Sequence, residues 1–512
     1  MRSLSLSKQA LLLLLIGMAI RLPSLVLPIS EGYRNAQTAT LTAGMIENGQ
    51  LRPDAIAPWR GDLDARLAME LPLYNLTALA IDALPGVRLD MAGRITSLIS
   101  WILSFIALQA LWRRTLPPKA ALWANLLFIF SPMNWYLSTA FMPESLLQLL
   151  AIVFMTCTLD YARKGAPAAL VSLSLTALLG LLVKFPSFVH LGLFACLIII
   201  DRHGWRSLFR PALISAGLTI LFFLSAWGEY VKAVNDIHFQ EWAGWANIVG
   251  FIRPDASRLS PGYWLPFLGY NTAFTATAVS IPFIFLGLWK LFEESKICFR
   301  ARVWIYLTIS LFVSWLVWGK GAPAQHYYNL PNLVLCCAAF GTGVTFVNRR
   351  LFQMEFPVRA LRILGATLAV SMVLLGLAGY RYLSRPDSVT VAVAEWVFAN
   401  VPAGQPVAYQ PRHAPGVIDY QHQPLLSHLT GRRTWILVRS TPSTEVERAL
   451  TSNSCLVVTH PIDSAGWLEH LRQQFKGTPR CVPESLLSDR LAGYRIVEDN
   501  PFFTAGLRNH DN

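Results

Sequence analysis

A few polar clusters interrupt an otherwise apolar chain, and their residue types suit holding an anion and moving a proton. The first apolar run ends in Pro28-Ile29-Ser30-Glu31-Gly32-Tyr33-Arg34-Asn35-Ala36-Gln37. A carboxylate at the mouth of a cavity is a general base or a ligand for a divalent cation. Arg34, one helical turn on, is a hydrogen-bond donor to anions. Spacing alone also accounts for Glu31 as a solvated loop acid capping the next helix. Glu144, after Ser138-Thr139-Ala140-Phe141-Met142-Pro143, suits a first helical turn, where the dipole favours an acid. It also falls on the same membrane face as Glu31, and two converging carboxylates are the minimum for base catalysis or for holding a metal ion. Lys184, in Leu182-Val183-Lys184-Phe185-Pro186, ends an apolar run. A lysine there snorkels to the interface or, beside a cavity, holds a phosphate as a point charge. Gln325-His326-Tyr327-Tyr328 offers a row of donors, following Gly319-Lys320-Gly321-Ala322-Pro323-Ala324. It reads as an aromatic belt or as a phosphate contact. Glu70, with Arg60, Asp62, Asp64 and Arg66, precedes Leu71-Pro72-Leu73-Tyr74 and either lines the site or is surface. Glu229, Asp236, His238, Glu241 and Arg253 are equally undecided.

The elements that must position these residues are membrane helices. Of 512 residues, 54% are hydrophobic and only 14% charged, and the mean hydropathy is +0.43. A soluble domain carries about 25% charge, so an ordinary cytosolic enzyme, a disordered chain and a DNA-binding domain are excluded. Seven cysteines are too few for a disulfide scaffold. Runs long enough for a bilayer core of about 30 Å fall at 9–28, 94–112, 120–137, 143–161, 166–185, 186–200, 211–227, 270–292, 303–318, 327–347 and 361–380. This predicts an α-helical polytopic membrane protein of about eleven spans. The first run continues past Arg21 without a cleavage site and is read as a span, not a signal peptide.

With the N-terminus in the cytoplasm, every short basic loop falls on that side: Arg113, Arg114 and Lys119; Arg163 and Lys164; Arg202, Arg206 and Arg210; Lys290, Lys296, Arg300 and Arg302; Arg349, Arg350, Arg359 and Arg362. The net charge of +13 is then a cytoplasmic-loop surplus facing anionic lipid. This register holds only if 71–84, short and interrupted by Asp82, is an interfacial or re-entrant helix. Residues 35–47 read as an amphipathic helix lying in the membrane interface. The chain divides into a membrane domain, 1–384, and a small α/β domain, 385–512, on the outer face. There, 390–400 and 467–475 read as helices, and 406–409, 434–438 and 455–459 as strands. Cys455 and Cys481 could pair in an oxidising compartment.

No nucleotide-binding glycine motif or zinc cysteine set is present. An outer-face enzyme without access to nucleotide sugars needs a donor already activated on a lipid. The chain resembles the GT-C polyprenyl-phosphate-sugar glycosyltransferases of the protein-mannosyltransferase-like family 39, which includes the lipid A aminoarabinose transferase. Their acidic motif, Asp-Glu-x-Arg-x-Ala-x-x-Ala, resembles 31–39 at Arg34, Ala36 and Ala39, with Glu31 at the catalytic Asp and Gly32 at the second acid. Their Pro-Leu-Tyr helix resembles Pro72-Leu73-Tyr74, and their Arg-initiated second span resembles 94–112. Their Ser-Pro stretch leading to an acid resembles Ser131-Pro132 through Glu144, again with Glu for the more usual Asp. Lys184 and His326-Tyr327-Tyr328 resemble their later lysine and His/Tyr motif.

The resemblance implies a membrane glycosyltransferase with its active site on the periplasmic side of the bacterial inner membrane. A polyprenyl-phosphate sugar would be the donor, and a glycan, lipid or protein the acceptor. Glu31 and Glu144 would be catalytic. Arg34, Glu70, Lys184, Gln325, His326, Tyr327 and Tyr328 would bind substrate, and inversion at the anomeric carbon is expected. A divalent metal is compatible with the fold class, though no ligand set demands one. Two rival readings stand: a lipid-linked-sugar flippase, and a degenerate scaffold that binds lipid without catalysis.

Overall fold

The computed structural model describes residues 7–29, 33–47, 49–61, 65–238, 260–317, 326–410, 424–436, 455–459, 494–499 and 503–508. The chain forms two compact units, Met1–Pro28 with Ala68–Ser384, and Ile29–Leu67 with Arg385–Asn512.

The first unit is helical, and helix occupies each of the eleven apolar runs. Seven helices among the described residues are long and apolar enough to cross a membrane. The longest, Leu89–Thr115 and Pro211–Ile237, have 27 residues each, about 40 Å at 1.5 Å per residue. Proline opens Pro167–Phe188 and Pro211–Ile237, where its missing N–H costs nothing. Glu144–Lys164 stops at Gly165 in the left-handed conformation, with Arg163 and Lys164 in its last turn. Pro211–Ile237 and Val358–Leu383 are little buried and expose Leu218, Leu221, Phe222, Ile363 and Leu374, as lipid-facing helices do.

Other runs break, and each break has a cause. The run 120–137 is Pro118–Phe130 followed by Pro132–Leu137, because Pro132 cannot continue the ladder and the Ser131 hydroxyl caps the new helix at Asn134. The run 270–292, expected as one span, is bent by 97° between Pro261–Thr275 and Ala278–Ser295. Asn271–Thr275 winds as a π turn just before the bend. Helix Leu73–Asp82 has ten residues, about 15 Å, half of what a span needs. It packs on Leu89–Thr115. Ile281–Ser295 and Asn332–Gln353 touch at their backbones. A Cβ on Gly287 would strike the Ala339 carbonyl, and one on Gly343 the Phe283 carbonyl.

In the second unit a five-stranded sheet runs in the order Thr434–Ile436, Val407–Gln410, Cys455–Thr459, Phe503–Arg508, Tyr494–Asp499. The first three strands are parallel and the last two antiparallel. The helix expected at 390–400 is Ser388–Asn400. The last two strands went unread in the sequence. The helix expected at 467–475 and Cys481, and with it the Cys455–Cys481 pairing, lie outside the described residues.

The segment 58–61 completes the Thr434–Ile436 edge. Thr434 donates to the Pro58 carbonyl (2.8 Å), Gly61 to the Thr434 carbonyl (2.8 Å), and Ile436 to the Trp59 carbonyl (3.3 Å). An edge strand is thereby covered. Gly61 is obligatory there, since its φ is +60° and a Cβ would run into the Trp435 ring. Helix Tyr33–Gly44 corrects the interfacial reading of 35–47. It packs on Leu425–Thr430 and Ala55–Ile56. It buries Asn35, Gln37, Thr38 and Thr42 along with Ala36 and Ala39. A helix buried around most of its circumference belongs inside a fold, not on a membrane surface.

Candidate active site

Pro186 starts the construction. It lacks the N–H that would bond the Leu182 carbonyl four residues back. The helix Pro167–Phe188 is therefore interrupted, with Lys184 extended at φ −162°, ψ 86°. The orphaned Leu182 carbonyl accepts instead from the Leu71 N–H at 2.8 Å, which ties the entry of helix Leu73–Asp82 to the break.

The break turns Lys184 inward. It is buried, and its ammonium pairs with Glu144 Oε1. The same nitrogen lies 4.5 Å from the Tyr327 ring centroid and 5.1 Å from that of Tyr328. Ring faces hold a cation by their quadrupole without taking up its hydrogens as an oxygen would. Glu144 opens helix Glu144–Lys164, where the dipole favours its charge.

The loop before Glu144 is clamped from several sides. Arg94 donates to the Thr139 carbonyl (2.7 Å) and the Pro28 carbonyl (3.1 Å). Ser97 donates to the Ala140 carbonyl at 2.6 Å. The Tyr74 hydroxyl donates to the Gly93 carbonyl at 2.7 Å and lies 2.8 Å from Ser97 Oγ. Burial pushes the Tyr74 phenol well above its ordinary value, so it stays a neutral hydroxyl. Arg21, fully buried, donates to Ser138 Oγ (2.6 Å) and to the Gly17 (3.0 Å) and Ile129 (2.9 Å) carbonyls, with Trp101 at 4.0 Å from its guanidinium. Beyond Tyr328, Asn271 donates to Asn329 (3.0 Å) and accepts from Asn332 (2.8 Å), fixing the 3-10 turn His326–Asn329 against the π turn.

Within this packed surround some polar atoms have no partner. Glu144 Oε2, both amide atoms of Gln148, and Asn332 Oδ1 are buried without a hydrogen bond. Gln148 is four residues after Glu144, on the same helix face. Each such group costs about 1–3 kcal/mol if left dry, so a polar partner beside Glu144 and Gln148 is favoured.

The structure thus brings Glu144, Lys184, Tyr327 and Tyr328 together. Glu70 is half-buried, immediately ahead of the Leu71 contact. Arg34 lies in the second unit, where its Nη1 donates to Gln37 Oε1 at 2.6 Å. Glu31, Gln325 and the side chain of His326 lie outside the described residues. Gln148 and Tyr74 were not among the predicted site residues. A lone amide in an apolar helix, one turn from Glu144, was the available signal for Gln148. Among the described residues no three His, Cys, Asp or Glu side chains gather to hold a metal ion. The described acid, Glu144, already has an ammonium on one oxygen. The described residues therefore do not fit a metal centre, and no step is routed through one.

The fold is similar to that of GT-C membrane glycosyltransferases. Residues 72–228 match the family model of dolichyl-phosphate-mannose-protein mannosyltransferases. That stretch contains Tyr74, Arg94, Ser97, Glu144, Gln148 and Lys184. The resemblance to protein-mannosyltransferase-like GT-C proteins therefore stands. ArnT from Cupriavidus metallidurans bound to undecaprenyl phosphate is similar over 99% of both chains, with 12% identity and a TM-score of 0.60. The Archaeoglobus fulgidus oligosaccharyltransferase in the apo form is similar over 88% of this chain and 69% of its own, with 12% identity and a TM-score of 0.57. AglB from the same organism, in complex with an inhibitory peptide and a dolichol-phosphate, gives 11% identity and a TM-score of 0.57, with the same coverage. At such identities the likeness is one of fold. A search of curated proteins by sequence gives no significant match.

Proposed function

We propose that the protein is a multi-pass membrane glycosyltransferase that moves a sugar from a polyprenyl-phosphate donor to an acceptor hydroxyl or amide on a glycan, lipid or protein. The observation that carries this reading is the buried Glu144–Lys184 pair, held under two tyrosine faces and flanked by unfilled hydrogen-bonding capacity. The fold it shares with undecaprenyl-phosphate- and dolichol-phosphate-bound proteins supports the lipid donor.

Lys184 has three N–H donors and gives one of them to Glu144 Oε1. A charge-assisted bond to phosphate is stronger than a ring-face contact. A donor phosphate arriving beside the tyrosines therefore displaces the rings and keeps the ammonium. Glu144 holds the lysine charged and oriented. Glu31 carries the base role that its motif implies: it takes the acceptor proton as the acceptor attacks the anomeric carbon. The bond from that carbon to the phosphate oxygen breaks with inversion, and polyprenyl phosphate leaves with the electron pair, its charge met by Lys184. Arg34, Glu70, Gln325 and His326 complete the proposed substrate contacts. The basic loops support an inner-membrane orientation with the N-terminus in the cytoplasm and the site on the periplasmic side. We assign 1–384 to the catalytic membrane domain and 385–512 to a periplasmic domain.

The test is mass spectrometry of lipids that co-purify with the wild type and with Glu31→Ala. A polyprenyl-phosphate sugar that accumulates in the variant, while the wild type transfers it, is the expected result. Sugar transfer by neither protein, with the sugar lipid moved intact across vesicle membranes, establishes a flippase instead. Unchanged lipid binding with no transfer by the wild type establishes the scaffold.

A further inference from the structure

A cavity lies at the end of these helices opposite the Glu144–Lys184 cluster. It measures about 290 Å³ and sits where the Leu89–Thr115 and Pro118–Phe130 helices turn, against the ends of Ile281–Ser295, Phe299–Val317 and Asn332–Gln353. Lys290, Arg300 and Arg349 line it, with Glu294 as its acid. Lys290 is already engaged by Glu293 at 2.7 Å and Glu294 at 3.8 Å. Arg300 and Arg349 are exposed and make no ion pair or side-chain hydrogen bond among the described residues. Leu116, Leu291 and Phe346 form an apolar wall.

Two uncompensated guanidinium groups facing one cavity are an anion site, and the guanidinium fork matches phosphate oxygens. The apolar wall selects among phosphates. Free inorganic phosphate has nothing to place on Leu116, Leu291 and Phe346, whereas a lipid brings glycerol and the start of its acyl chains. Ligand pockets run from roughly 300 to 1,000 Å³. The cavity is at the small limit, suited to a headgroup and too small for a nucleotide sugar. It lies at the basic end of the bundle, the end that faces anionic lipid in the charge-derived orientation. We infer that Arg300 and Arg349 form a binding site for the phosphate headgroup of an anionic membrane lipid, separate from the Glu144–Lys184 site.

The test uses the detergent-purified full-length protein, titrated with dioleoyl phosphatidylglycerol, dioleoyl phosphatidylcholine or sodium phosphate and read by native mass spectrometry and by thermal shift. The variants are Arg300→Gln/Arg349→Gln and, as a charge-matched control, Arg359→Gln/Arg362→Gln, whose residues do not line the cavity. All four positions are exposed, so folding is retained. The expected result is phosphatidylglycerol binding that weakens about tenfold or more in the first variant, about 1.4 kcal/mol, and stays unchanged in the control. It also weakens as salt rises, with phosphatidylcholine inactive. Equal loss in both variants, or none in the first, overturns the site. Sodium phosphate matching the lipid at equal concentration overturns the lipid assignment. The readout is binding at the cavity, so it stands or falls independently of sugar transfer.

Discussion

Two buried cations in the membrane unit are built in opposite ways. Arg21 has no carboxylate partner among the described residues. Its donors reach a serine and two carbonyls, and its plane covers Trp101. Lys184 has a carboxylate, Glu144, yet stands among atoms that lack partners. Burial and charge alone therefore do not mark a site. Arg21 is closed: it holds helix Lys8–Ala19 to the 129–138 turn and leaves nothing for a ligand. Every Arg21 nitrogen has an acceptor, although the Trp101 and Trp135 indole N–H groups beside it have none, whereas the Lys184 cluster leaves the second oxygen of its own carboxylate partner and the Gln148 amide without one.

The comparison breaks most sharply at Lys184. Lys184→Met is expected to cut transfer by about 10²–10³-fold, the usual cost of losing one electrostatic stabiliser of a leaving oxyanion. It also strips Glu144 of its partner, at about 3–5 kcal/mol of stability. The double variant Glu144→Gln/Lys184→Met should regain most of that stability in a thermal melt and none of the activity. Recovered transfer would show that the pair only supports the fold. Arg21→Met should do the reverse. It loses three charge-assisted bonds and is expected to cost about 3 kcal/mol in the melting curve. Transfer per folded molecule should be unchanged, and a large fall in kcat would erase the distinction.

Smaller effects sharpen the boundary. Tyr327→Leu or Tyr328→Leu removes a ring face worth about 0.5–2 kcal/mol that the arriving phosphate has to displace, expected as a fall of several-fold in KM for the donor with kcat nearly kept. Gln148→Leu replaces a dry amide by an apolar group of similar size. Stability should hold or rise slightly, while substrate binding weakens by up to about tenfold, the loss of one hydrogen bond of about 1 kcal/mol. A drop in stability with unaltered binding would mean that Gln148 holds a structural water.

Several of these residues are legible in the amino-acid sequence. Glu144 and Lys184 stand out because an ionisable residue beside an apolar run is costly and needs a reason. Tyr327 and Tyr328 are visible as a donor row. What periodicity cannot give is the bond between elements distant in sequence. The Leu71–Leu182 hydrogen bond joins residues more than a hundred apart, and the 97° bend at the π turn has no proline at its centre to announce it. The interfacial reading of 35–47 fails for a related reason. Helical spacing identifies the helix, but burial of Asn35, Gln37 and Thr38 depends on what packs around them.

By itself the sequence determined that the chain is a helical membrane protein, where its apolar runs lie, and which end of them is basic. Those properties follow from local transfer free energies summed along short windows, so no long-range information is needed. Only the tertiary structure decided that Lys184 pairs with Glu144 and that Arg21 is already satisfied. It alone joined segment 58–61 to the Thr434–Ile436 edge. Hydrogen-bond satisfaction is a property of neighbours in space, and a chain reveals those neighbours only when it has folded.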